Sequence, residues 1–391
     1  MSIALDVNSP EPYWNAIRTR FPIFKNKTYI NSCSYGALST DVIAALHAYI
    51  DDRQTRGTDW DYWIEQNERV RSAVAGLLGA EPDEVAVTTS ASAGINSVAS
   101  ALKFDGARSK VVISDFEFPT NAQIWYAQEL RGATVVRAEE EDGYVSPEQF
   151  EKVIDEETLI VAVTQVCFKN GARLDIPAIA KIARDRGALL LVDGYQGLGT
   201  VRFDVTKIQP DFVVGGMVKY LLGTAGAAFL YTKQSLIDSL VPTVTGWFAQ
   251  ADIMAMDTTR YDPSPTARRF EAGTPPVPNC YAAVAGLGLI AEVGLENIAR
   301  RIEYLTSSIK SAAKENGYVF GMPESPERHG AMITLKSRDE HGLVDALEAD
   351  GIETSCRGGN LRISPHFYNN DDDIETLFHA LKKHERLLLR Q

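Results

Sequence analysis

Two residues of opposite charge end two apolar runs close together in this chain. Ala188 to Val192 is followed by Asp193, and Phe212 to Val218 is followed by Lys219. Each run has the length of a buried parallel strand, and open α/β sheets collect their working groups at the carboxyl ends of such strands. The chain turns between them through Gly197 and Gly199. Both charges are therefore expected at one edge of one sheet.

A carboxylate and an amine placed this way meet the needs of pyridoxal 5'-phosphate. The lysine condenses with the cofactor's aldehyde, and the acid pairs with the pyridine nitrogen, keeping it protonated so that the ring accepts electrons. Taken singly, Lys219 reads as a solvated loop end and Asp193 as a turn or cap residue. The ordered set of Asp193-x-x-Gln196, Asp204, Asp211 and Gly215-Gly216-Met217-Val218-Lys219-Tyr220 resembles the class V aminotransferase group of fold type I pyridoxal-phosphate enzymes. That group includes cysteine desulfurases, kynureninases and isopenicillin N epimerase-like proteins. The resemblance extends over nearly the whole chain.

The resemblance assigns roles to further positions. The run from Asn31 to Ser39, with Tyr35 inside it, is similar to a segment near the start of kynureninases, which puts Asn31 and Tyr35 at the mouth of a substrate site. Thr89 to Asn96 follows a short strand and opens a helix rich in small hydroxyl residues. Such a helix start suits a phosphate, and the resemblance implies that Ser92 and the amides of Ala91 and Ser92 grip it. Phe118, in a Phe-Pro-Thr arrangement, is implied to stack on the pyridine ring. Cys167 stands where the group usually carries an asparagine beside the cofactor's phenolic oxygen, a departure that either weakens that hydrogen bond or transfers it to Gln196; read by itself, Cys167 is a buried structural thiol. Trp247 and Thr274 are implied to act across a homodimer interface, on the neighbouring subunit's phosphate. Arg362 is implied to hold the substrate carboxylate, for which a guanidinium fork is well shaped. Gly216 and Val218 depart from the pattern, because hydroxyl or imidazole donors to the phosphate normally stand there.

The elements that must carry these residues follow from pattern and composition. The chain has 391 residues and is 45% hydrophobic, enough for two packed units. Alternating strand and helix signals from Glu84 to Tyr231 predict a mostly parallel central sheet flanked by helices, an α/β fold of fold type I, with a smaller C-terminal α/β layer. The expected division is an N-terminal segment over 1–25, a large cofactor-binding domain over 26–265 and a small domain over 266–391, with one bridging helix over about 279–316. A net charge of −13 argues against nucleic acid or anionic membrane as partner. Four scattered cysteines without a C-x-x-C pair predict reduced thiols and no metal site. No basic start with an apolar core and no membrane-length run is visible, so a cytoplasmic protein is expected.

The expected reaction begins on a small α-amino acid. Cβ or carbon–sulfur bond cleavage, in the manner of a desulfurase or kynureninase, is the leading expectation; transamination or an epimerase-like reaction is the alternative, and a silent fold the contrasting one. The short Arg357-Gly-Gly-Asn run leaves no room for the mobile cysteine loop of desulfurases. Cys356, just before it, is not expected to relay sulfur.

Overall fold

A computed structural model describes residues 11–391. An early two-residue strand, β1 (Thr28–Tyr29), precedes the strands of the main sheet: β2 (Val85–Thr88), β3 (Lys110–Ser114), β4 (Thr134–Ala138), β5 (Thr158–Thr164), β6 (Leu189–Asp193), β7 (Phe212–Gly216) and β8 (Ala228–Thr232). Their order across this seven-stranded sheet is β2-β8-β7-β6-β5-β3-β4. Only β8 runs against its neighbours, so the sheet is the mostly parallel one that the alternating pattern predicts. Its strands are short and dominated by Val, Ile and Leu because helices cover both faces. One face packs in a core with Val70, Phe150 and Ile179, the other in a core with Ile95, Trp125 and Phe270.

Register decides where the charges emerge. β6 and β7 pair Asp193 with Val214, so β7 runs two residues beyond β6 before the turn that carries Lys219. Asp211 steadies the opposite end of the pair by accepting from the Leu190 amide at 2.8 Å. Asp204 caps the short Val205–Ile208 helix. Both acids of the motif thus serve the scaffold.

The chain's last third builds a second layer from β9 (Ile333–Lys336), β10 (Ile352–Glu353), β11 (Ser355–Arg357) and β12 (Asn360–Ile363). β11, β12 and β9 form an antiparallel sheet, and β1 joins β10 in parallel. Gly358 and Gly359, with φ of +61° and +80°, let β11 turn directly into β12. The early segment is stitched to this layer beyond β1 as well, since Asn31 bridges Ser364 and the Ser32 amide donates to the Ser364 carbonyl at 3.0 Å.

The single bridging helix expected over 279–316 is two helices, Val277–Val293 and Leu295–Glu315, bent by 79°. Gly294 makes the break with φ of +84°, a conformation costly for any residue with a Cβ. The first helix is buried along most of its length, whereas the second is amphipathic. Of the N-terminal segment over 1–25, residues 1–10 lie outside the described ones. Its described part packs on the C-terminal layer through Arg18, which pairs with Asp373 at 2.6 and 2.8 Å. No single helix among the described residues is long and apolar enough to cross a membrane.

Candidate functional site

Asp193 is buried at the end of β6 and accepts from the Tyr195 amide at 2.9 Å. Burial pushes its carboxyl up, against the pull of that amide and of the Lys219 charge. Lys219 is largely buried, and burial lowers its amine, against Cys33 and Asp193, which raise it. A desolvated amine that releases its proton more readily is a better nucleophile. Two aromatic rings flank it: the Nζ lies 4.7 Å from the Tyr195 centroid and 5.8 Å from that of Phe118.

The early segment closes over this turn. The Gly36 amide donates to the Val218 carbonyl at 2.8 Å, and a Cβ at position 36 would overlap the Lys219 carbonyl. Gly36→Ala is therefore expected to cost about 1–3 kcal/mol in urea unfolding. An unchanged midpoint would mean the approach is not tight.

Arg362 reaches the same region from β12. Its Nη1 donates to the Phe168 carbonyl at 3.0 Å and its Nη2 to Ser34 Oγ at 3.1 Å, while Nε is buried without a partner. Among the described residues no carboxylate pairs with it, although the residue is only 5% exposed. A buried charge without a counter-ion costs several kcal/mol, which an anion bound beside it would offset. Asn31 is buried beside this arrangement and accepts from Ser355 Oγ at 2.7 Å.

The Ala91–Ala101 helix begins at the sheet's carboxyl edge. Ser90 caps it, its Oγ accepting from the Ala93 amide at 3.0 Å. Ala91 is buried as its first residue, and Ser92 Oγ lies 3.3 Å from Thr120 Oγ1. Free amides and hydroxyls there suit a phosphate.

The remaining positions divide. Gln196 donates through Nε2 to the Cys33 carbonyl at 3.0 Å and keeps a buried, unpartnered Oε1. Tyr35 is exposed, its hydroxyl accepting from the Ala225 amide at 3.2 Å. Phe118 packs edge-on against Phe168 with centroids 5.0 Å apart. Cys167 is fully buried, and burial raises its thiol to about 11. It borders a cavity of about 990 Å³ with Tyr144, Lys169 and Arg328, a cavity that Lys219 does not line. Trp247 and Thr274 are not brought to Lys219's immediate surroundings. Trp247 stacks edge-on with Trp60 at 5.6 Å, Thr274 is exposed, and the two passes of chain carrying them are joined by the Phe248 amide on the Ala272 carbonyl at 3.1 Å.

Sequence reasoning missed Tyr195, Ser34, Thr120 and Glu117. Tyr195 sat inside Asp-x-x-Gln as a spacer, and Ser34 meets Arg362 only through the fold. Glu117 is buried and accepts from Ser114 Oγ at 2.6 Å, the Thr164 amide at 3.1 Å and Asn121 Nδ2 at 2.7 Å. Burial nevertheless pushes its carboxyl from 4.5 to about 7, against those three donors. The native chain thus holds a proton between these values that the unfolded chain has released. Stability is expected to fall as pH rises from about 4.5 to 7, by up to about 3 kcal/mol, and Glu117→Gln should flatten that slope in pH-dependent urea titrations.

The chain as a whole is similar to known proteins. The family model described as aminotransferase class-V matches residues 41–377. The uncharacterized aminotransferase YcbU of Bacillus subtilis (strain 168) is 34% identical over 365 residues, 93% of this chain and 95% of that protein. A kynureninase of Geobacillus thermodenitrificans (strain NG80-2) is 25% identical over 386 residues, covering 94% and 90%. Among solved structures, an apo cysteine desulfurase from Thermococcus onnurineus NA1 superposes with a TM-score of 0.86 at 23% identity, over 95% of this chain and 98% of that one.

Proposed function

The chain belongs to the class V aminotransferase family, and on that premise we propose that it acts at Cα of a small α-amino acid whose carboxylate Arg362 holds. It is an enzyme, and its cofactor is pyridoxal 5'-phosphate. The residues present fit that group. Lys219 offers a desolvated amine, Asp193 a buried acid, and Gln196 a buried polar atom without a partner among the described residues. Lys219 would hold the aldehyde carbon, Asp193 the ring nitrogen, Ala91 and Ser92 the phosphate, with Phe118 and Gln196 beside the ring. When bound, the cofactor supplies an electron sink for the bond broken at Cα.

The chain's own groups do the rest. Arg362, fixed by Phe168 and Ser34, takes the carboxylate in two parallel hydrogen bonds and so fixes which Cα bond faces the Lys219 side. Lys219 would carry the proton to and from Cα, its proton affinity lowered by burial. Asp193 would pair with a protonated ring nitrogen, whose charge would offset the burial that raises its carboxyl. The observation that carries this reading is Arg362 itself, a buried cation with two neutral partners and no anion.

For the reaction we infer Cβ or carbon–sulfur cleavage without a cysteine relay. Strand alternation supports it: Ser355 turns its hydroxyl to Asn31, while Cys356 turns the other way, its sulfur 3.6 Å from His341 Nδ1. The tight turn at Gly358 and Gly359, which joins β11 directly to β12, supports the same reading. Transamination is the second reading, favoured by the name of the B. subtilis relative, an uncharacterized aminotransferase. Incubation with a panel of amino acids separates them. Ammonia and a keto acid released without an acceptor support cleavage, a strict need for a keto-acid acceptor supports transamination, and no spectral change with any amino acid sinks both.

Homodimerisation in a cytoplasmic setting belongs to the same reading. Trp247 and Thr274, outlying in their own chain, would complete a neighbour's site, and the chain would divide near 25 and 265. Light scattering giving a monomer would remove that role.

A further inference from the structure

We propose that the Tyr195 phenol is a hydrogen-bond donor to the phosphate end of the cofactor, taking over from the donors that Gly216 and Val218 cannot supply. This rests on the cofactor reading above and assigns a residue to it that none of the motifs singled out.

Tyr195 is held relative to the site by its own backbone, whose amide donates to Asp193 Oδ1 at 2.9 Å. From there its ring crosses to the end of the neighbouring strand and lies on Gly216. A Cβ at position 216 would overlap both Cζ and the hydroxyl oxygen of Tyr195. Gly216 is therefore the residue that makes room for the phenol, and the two positions form one unit. The φ of Gly216 is not positive, so space rather than backbone conformation demands the glycine.

The direction of the ring points to the phosphate. Tyr195 packs against the core cluster that contains Ala91, Ile95 and Val214, the side of the sheet on which the Ala91–Ala101 helix begins. Its hydroxyl makes no hydrogen bond with any described residue, whereas Tyr35, Tyr29 and Tyr368 each spend theirs. Burial and the Asp193 charge raise this phenol to about 12, so at neutral pH it keeps its proton and can donate to an anion. Ser92 and Thr120 stand at the same helix start. The Lys219 amine lies 4.7 Å from the ring centroid, which puts the phenol within the site.

Binding to the full-length protein, stripped of cofactor and titrated with pyridoxal 5'-phosphate or with pyridoxal, tests this without any turnover. Tyr195→Phe keeps the ring and removes the hydroxyl. It should weaken pyridoxal 5'-phosphate about ten- to hundredfold, as for a lost hydrogen bond to a charged group, and leave pyridoxal within about twofold. Gly216→Ala, which displaces the ring, should reproduce the loss and add little on top of Tyr195→Phe, because both remove one contact. Tyr195→Phe with unchanged affinity for both compounds overturns the proposal, as does an equal loss for both, which would mean ring packing instead. A wild type that binds pyridoxal 5'-phosphate no better than pyridoxal overturns it too, but leaves the Lys219 chemistry intact. A wild type that binds neither overturns the cofactor reading with it.

Discussion

Lys219→Ala should lose turnover by at least about 10³-fold, and borohydride treatment of that variant in the presence of pyridoxal 5'-phosphate should fix no pyridoxyl group to the chain. Two separate proposed functions would disappear with this side chain, the covalent anchor and the proton carrier at Cα. No other lysine among the described residues lies over the Tyr195 or Phe118 ring, so no neighbour can substitute. Lys219→Arg should fare no better, because a guanidinium keeps its proton and is no nucleophile. Peptide mapping of the reduced wild type should find the label at Lys219 alone. A label on the Ala variant, or at another lysine, would contradict the assignment.

Arg362→Gln should lower kcat/KM by about 30- to 4000-fold, the range for truncating one partner of a buried charged pair. The loss should be confined to substrates with a free carboxylate, so the corresponding amino-acid amides should lose little. Arg362→Lys should not restore activity, since an ammonium cannot serve the Phe168 carbonyl, Ser34 and a carboxylate together in one plane. Stability should move the opposite way. In the protein without substrate the guanidinium is buried and unpaired, so its removal should leave the thermal midpoint unchanged or raise it. Added carboxylate ligands should then stabilise the wild type but not the variant, as mass action requires. A variant that is both less stable and equally active would show that Arg362 is structural.

What the sequence disclosed follows from the range of the forces involved. Asp193 and Lys219 were legible because apolar runs announce buried strands, and a charge ending such a run must sit at its mouth. Arg362 was legible through its neighbours, but its bond to Ser34 spans 328 positions and belongs to the tertiary fold. The bend at Gly294 went unread because apolar spacing continues through it, and periodicity cannot register a single φ. Tyr195 and Glu117 stayed hidden for a related reason. In a turn, residue type does not reveal which way a side chain faces, and a buried carboxylate held by three donors looks on paper like any exposed one.

The joining of β1 to β10 and of Asn31 to Ser364 bears on how the molecule is made. Residues 28–31 leave the ribosome early yet find these strand partners only after residues 352–364 have been synthesised, loop closures that are long and slow to be repaid. The strands of the seven-stranded sheet, Asp193 and Lys219 all precede that segment in the chain, whereas Arg362 lies within it. Completion of the cleft is therefore a late event, and a chain interrupted before Ile352 would lack both the parallel partner of β1 and the Arg362 guanidinium.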